Sequence, residues 1–135
     1  MLLRWWHDQP LGLAGCGGVL LALLTLDRLT VPAPERCESY TALAQRLLQG
    51  LHPHQLEIDR DLDLLHGVTG LIGPLLLLGD AQALEWARIA GNRLVEQQQA
   101  AGGWIVSSAQ RPLTGWSHGA AGMAAARWQF LSPWR

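Results

Sequence analysis

Cysteine is scarce in this chain. Cys16 and Cys37 are the only two, too few for a disulfide scaffold, so a reduced cytoplasm is the expected setting. An excess of one charge sign is missing as well. The net charge is −1, which leaves no basic surplus to neutralise phosphates and excludes nucleic acid as a partner. Nor is any apolar run long enough to span a bilayer. Leu11 to Leu26 carries no charge, but it covers only sixteen residues, four of them glycine, where a spanning helix needs ~20. Leu13-Ala14-Gly15-Cys16 imitates a lipoprotein cleavage site. Here, though, most of the apolar run follows the cysteine, and Asp8, Gln9 and Pro10 lie just upstream. A buried helix accounts for this segment better than a membrane role. What remains is 49% hydrophobic and 16% charged over 135 residues. That composition fits one globular domain, residues 1–135, with a sizeable core, and argues against disorder.

An internal repeat dominates what is present. Ala14-Gly15-Cys16-Gly17-Gly18, His66-Gly67-Val68-Thr69-Gly70 and His118-Gly119-Ala120-Ala121-Gly122 each lead with a Gly-x-x-Gly pair into an apolar run. Gly15, Gly67 and Gly119 are separated by 52 residues each time, a regularity hard to obtain by chance. Two glycines three apart mark backbone that bends, or that approaches another backbone closely, at a helix start. The runs that follow, Val19 to Leu24, Leu71 to Leu78 and Met123 to Ala126, are apolar on nearly every side. Such helices are expected to be buried all round. Pro74 fits this pattern if it lies in the first turn of a helix that begins near Gly70.

Amphipathic helices separate these segments. Ser39 is positioned to cap a helix running to Leu48, with Tyr40, Leu43, Ala44, Leu47 and Leu48 on one stripe and Gly50 ending it. Asp80 caps the next, where Ala83, Ala87, Ala90 and Leu94 recur on one face. Strand signals are weak, with Gly103-Trp104-Ile105-Val106 the one short extended candidate. The expected fold is therefore all-α, built from hairpins of one inner and one outer helix about fifty residues long. Alternation at this period points to an α/α toroid, and a straight solenoid of the same hairpins is the alternative.

Two side chains stand out for chemistry. His118 directly precedes Gly119 at the mouth of an inner helix, where the positive dipole end favours a neutral ring able to accept a proton or bind metal. Asp63 precedes Gly67 by four residues and approaches the same end of the assembly. An aspartate and a histidine converging there can act as an acid/base pair. The bland reading has both capping helix ends or bonding loop backbone. His66 occupies in the second segment the slot of His118, which leaves a two-histidine site open as a second-tier candidate. His52-Pro53-His54 reads as a polar loop, with metal binding there as the lesser alternative, and Cys16 as a small buried residue rather than a nucleophile. Of the seven tryptophans, Trp104 and Trp116 lie near the third glycine turn, where they either wall a cavity or pack in the core.

Gly115-Trp116-Ser117-His118-Gly119-Ala120-Ala121-Gly122-Met123-Ala124 resembles the G-x-x-H-G-x-x-G-[IM]-A segment of lanthionine synthetase C-like cyclase domains, including those of type II lanthipeptide synthetases. Asp63-Leu64-Leu65-His66-Gly67-Val68-Thr69-Gly70 is similar to that family's D-x-x-x-G-x-x-G segment, and Leu11 to Leu26 to an earlier glycine-led helix. The resemblance covers Leu11 to Ala126. It implies an α/α toroid of seven hairpins, of which about three are represented here. It also implies a chemistry: a zinc-bound peptide cysteine thiolate adds to a dehydroalanine or dehydrobutyrine, closing a lanthionine or methyllanthionine ring. Zinc lowers the thiol pKa, and an acid protonates the resulting enolate. Asp63 and His118 match the family's active-site aspartate and histidine, with the acid/base duty falling to His118.

The chain also departs from the pattern. The family holds zinc with two cysteines and a histidine from W-C-x-G and C-H-G motifs, and neither motif is present. The expectation is a front portion of such a domain that holds no zinc tightly and is inactive alone. Its expected partners are a lanthipeptide precursor peptide and the remainder of a cyclase domain. A non-catalytic helical module binding a peptide or partner is the alternative. A sugar-cleaving toroid is disfavoured, because Asp59, Asp61 and Asp63 cluster in one loop instead of facing across a cleft.

Overall fold

A computed structural model describes residues 2–31, 35 and 37–131. Among these the architecture is entirely helical: α1 (Leu2–His7), α2 (Cys16–Leu29), α3 (Tyr40–Leu48), α4 (Pro53–Glu57), α5 (Thr69–Leu78), α6 (Ala81–Gln97) and α7 (Ala120–Leu131). Residues 103–106, the one extended candidate, form no strand. No helix among the described residues is long and apolar enough to cross a membrane.

Local chemistry sets the helix ends. The Ser39 hydroxyl accepts from the Ala42 N–H at 3.0 Å, and the Asp80 carboxylate from the Ala83 N–H at 2.9 Å. Each satisfies a donor that has no partner within its own helix. Gly79, at φ 70°, ends α5 in the left-handed conformation that glycine adopts without penalty. Pro53 and His54 are helical, not loop, and His52 precedes them in extended backbone. His52 caps α4: its Nδ1 accepts from the His54 N–H, while the Gln55 side chain accepts from the His52 N–H at 2.8 Å. This reciprocal capping overrides the polar-loop reading of 52–54.

The helices pack around α5 and α6. α5 contacts α2, α6 and α7, while α3 packs on α2 and α6 also meets α4 and α7. The stripe Ala83, Ala87, Ala90 and Leu94 is fully buried, as its periodicity predicts. The glycine-led helices differ from one another. α5 buries Leu71, Ile72, Pro74 and Leu75 together. In α2, by contrast, Leu20 and Leu24 are buried while Leu21, Leu26 and Leu29 are exposed. Burial on all sides therefore fails for α2. An apolar surface is covered only where a neighbour lies against it, and α5 has one on each flank. Pro74 also departs from expectation: α5 begins at Thr69, so the ring sits in the second turn. Its missing N–H frees the carbonyl of Gly70, which faces Gly17 at a backbone approach that leaves no room for a Cβ.

Candidate functional site

The three glycine turns lie side by side. From the first, the N–H groups of Gly12, Leu13 and Ala14 donate to the carbonyls of His66, Leu64 and Leu65. From the second, the Leu64 N–H donates to the Ser117 carbonyl of the third. None of the motif glycines has a positive φ, so close approach, and not left-handed backbone, is what excludes a side chain there. A Cβ on Gly70 would fall onto the Leu64 carbonyl and 2.6 Å from the Leu13 nitrogen. The contact thus fixes the turns relative to each other. Residues far apart in sequence meet because their backbones do.

Asp63 is held by a tightly bonded loop. Leu62, just before it, adopts φ 56°, an uncommon conformation for a branched side chain. The Asp59 carboxylate spans the loop, accepting from the N–H groups of Asp61 at 3.3 Å, Leu62 at 3.0 Å and Val68 at 2.9 Å. The Thr69 hydroxyl donates to the Leu62 carbonyl, and the Arg93 guanidinium to the Asp59 carbonyl at 2.7 and 2.9 Å. Burial pushes the Asp59 carboxyl above its ordinary value, opposed by those three N–H groups. The loop directs the Asp63 side chain, 3% exposed, toward the third turn.

There it meets His118. The ring Nδ1 lies 2.7 Å from Asp63 Oδ2, across 55 residues of sequence. Asp63 Oδ1 accepts the backbone N–H of His66 at 2.7 Å, and the His66 Nδ1 lies 3.9 Å from the same oxygen. The two imidazoles stack, with centroids 5.6 Å apart and planes 11° from parallel. With the carboxylate ionised, His118 Nδ1 donates to it and Nε2 keeps the lone pair. A half-exposed imidazole oriented by a buried carboxylate is equipped to take up or deliver a proton.

The structure brings together Asp63 and His118, the two site residues expected from the sequence, and Asp63 also bonds loop backbone through the His66 N–H. His66, the second-tier candidate, lies beside them, its ring stacked on that of His118. Its signal was the shared 52-residue slot with His118. Asp59, Thr69 and Leu62, which shape the loop, carry no motif by which sequence alone would single them out. Trp104 belongs to the core, its Nε1 donating to the Leu94 carbonyl at 2.7 Å, whereas Trp116 is exposed.

The cysteines do not fit the thiolate zinc site implied by the resemblance. Cys16 is fully buried, its Sγ 3.7 Å from the Trp6 carbonyl, and burial pushes its thiol up to about 12. A thiol so hard to ionise is a poor ligand. Cys37 is exposed, and among the described residues the one cluster with metal-ligand character is Asp63, His66 and His118.

Along α2, α5 and α7 runs an open groove of about 620 Å³, its walls including Leu21, Leu76, Leu77, Trp116, Ala125 and Trp128. Asp63 and His118 do not line it, but Leu64 and Trp116, one and two residues away from them, do. Comparison of the chain with protein-family models, with curated proteins and with solved structures finds no match.

Proposed function

We propose that this chain is the front portion of a lanthionine synthetase C-like cyclase domain, with Asp63 and His118 as its acid/base pair. The observation that carries the reading is the 2.7 Å contact between these two side chains, the same two that the family motifs single out. In this reading the glycine-led helices α2, α5 and α7 are consecutive inner helices of an α/α toroid, and α3 and α6 belong to its outer layer. The substrate is a peptide bearing a cysteine and a dehydroamino acid. The cysteine thiolate adds to the dehydroalanine Cβ, and the alkene electron pair moves toward the carbonyl to give an enolate. His118, protonated at Nε2, delivers its proton to Cα, while Asp63 stabilises the imidazolium and fixes its orientation. The thiolate must be generated by groups this chain does not supply, so the chain is inactive alone and acts with the remainder of a cyclase domain.

The experiment supplies that remainder. The purified chain is incubated with a dehydrated, cysteine-containing peptide, with and without a polypeptide carrying the W-C-x-G and C-H-G motifs, and ring closure is read as loss of alkylatable thiol. Closure is expected only in the mixture. His118→Asn should slow it about 10²–10⁴-fold, the usual contribution of a positioned acid/base. Ring closure at the same rate with His118→Asn would overturn the assignment.

The groove favours a second reading, a non-catalytic module that binds an apolar peptide segment along α2, α5 and α7. It predicts peptide binding that Trp128→Ala weakens and His118→Asn leaves intact, without turnover in any mixture.

A further inference from the structure

We propose that Asp63, His66 and His118 form a site for a first-row divalent transition metal ion, Zn²⁺ or Co²⁺, distinct from the thiolate zinc site of the family this chain resembles. One ligand atom from each of the three residues lies within 4.8 Å of the others. Two imidazoles and a carboxylate are a donor set that suits such ions, and three protein ligands leave at least one position open to water. The spacing is close to what an ion requires. Ligand atoms ~2.1 Å from a tetrahedral centre stand roughly 3.4 Å apart. The Asp63 oxygens lie 2.7 Å from His118 Nδ1 and 3.9 Å from His66 Nδ1, on either side of that value.

The site is partly built. Asp63 is buried and its carboxylate is oriented by the His66 N–H, whereas the two rings are 41% and 45% exposed, giving an ion a way in. Entry requires two local changes. His118 switches tautomer, Nδ1 giving up its proton as Nε2 takes one from solvent, so that the ion on the Nδ1 lone pair replaces the hydrogen bond to Asp63. The His66 ring turns out of the stack, because lone pairs lying in parallel ring planes do not meet at a point. Asp63 and His66 belong to the second glycine turn and His118 to the third, so the bound ion staples two turns together. Binding should therefore raise thermal stability as well as occupy the pair.

Titration of the metal-free chain with Co²⁺, followed by competition with Zn²⁺, tests this. The expected result is one ion per chain, visible d–d bands without a near-ultraviolet thiolate charge-transfer band, and a higher melting temperature with Zn²⁺. His66→Gln and His118→Gln should each weaken binding at least ~10-fold, at the low end of what losing even an outer-shell partner costs. The double variant His52→Gln/His54→Gln, at a surface pair elsewhere, should bind as the parent does. Circular dichroism checks that each variant stays helical, and if His118→Gln does not fold, His66→Gln decides. No binding at millimolar metal, unchanged affinity in His66→Gln, loss in the His52/His54 variant, or a thiolate charge-transfer band would each overturn the site. The readout is the ion alone, so its failure leaves the acid/base assignment, tested by ring closure, untouched.

Discussion

Helices α5 and α2 start from similar material and end in different environments. Both follow a glycine turn and both are apolar on nearly every side. α5 packs between α2 and α7 with α6 against it, and Leu71, Ile72 and Leu75 are completely buried. α2 has α5 and α3 for neighbours, and Leu29 is 78% exposed. The same contrast holds for α7, where Met123 is buried and Trp128 is 73% exposed. The pattern in a helix states how much apolar surface it can bury. Its neighbours decide how much it does bury.

The largest effect should come from the contact that sets α2 and α5 together. Gly70→Ala places a methyl group against backbone atoms of Leu64, Leu13 and Gly12, none of which can move as a side chain would. A cost above ~4 kcal/mol is expected, measured as loss of a cooperative thermal transition. A stable Gly70→Ala protein would break the comparison at its origin.

Next come paired truncations. Leu71→Ala in α5 should cost about 2–5 kcal/mol in urea unfolding, since it opens a cavity in a closed core. Leu29→Ala in α2 should change stability by no more than about 0.5 kcal/mol. Equal costs would mean that the two helices are covered alike.

A smaller effect depends on pH. The Cys16 thiol, at the start of α2, is raised from 9.0 to about 12 in the folded state. Above pH 9 the unfolded chain releases a proton that the fold retains, so stability should fall as pH rises from about 9 toward about 12. The slope approaches ~1.4 kcal/mol per pH unit. Cys16→Ala should remove that part of the slope in urea titrations across the window. An unaltered slope would mean that the thiol ionises freely and that the start of α2 is open to water.

Much of the site was legible because its signals are local or periodic. Ser39 and Asp80 cap helices through bonds spanning three residues, and Ala83, Ala87, Ala90 and Leu94 repeat with the helix. The 52-residue spacing of Gly67 and Gly119 places Asp63 and His118 at one end of the helices. What escaped depends on tertiary approach. The exposed face of α2 follows from which neighbours it has, and His66 matters because its ring stacks on that of His118. Pro74 sits in the second turn, where the Gly70 carbonyl four residues back lies against Gly17 of another turn. The left-handed Leu62 is held by Asp59 and Thr69, partners that no periodicity marks.

The most direct test of the central claim is the tautomer of His118, read from long-range ¹H–¹⁵N correlations of its ring near neutral pH. A carboxylate 2.7 Å from Nδ1 requires the Nδ1–H form, with a proton shifted far downfield that disappears in Asp63→Ala. A ring carrying its proton on Nε2, with a spectrum indifferent to Asp63→Ala, would contradict the pairing on which the proposed chemistry rests.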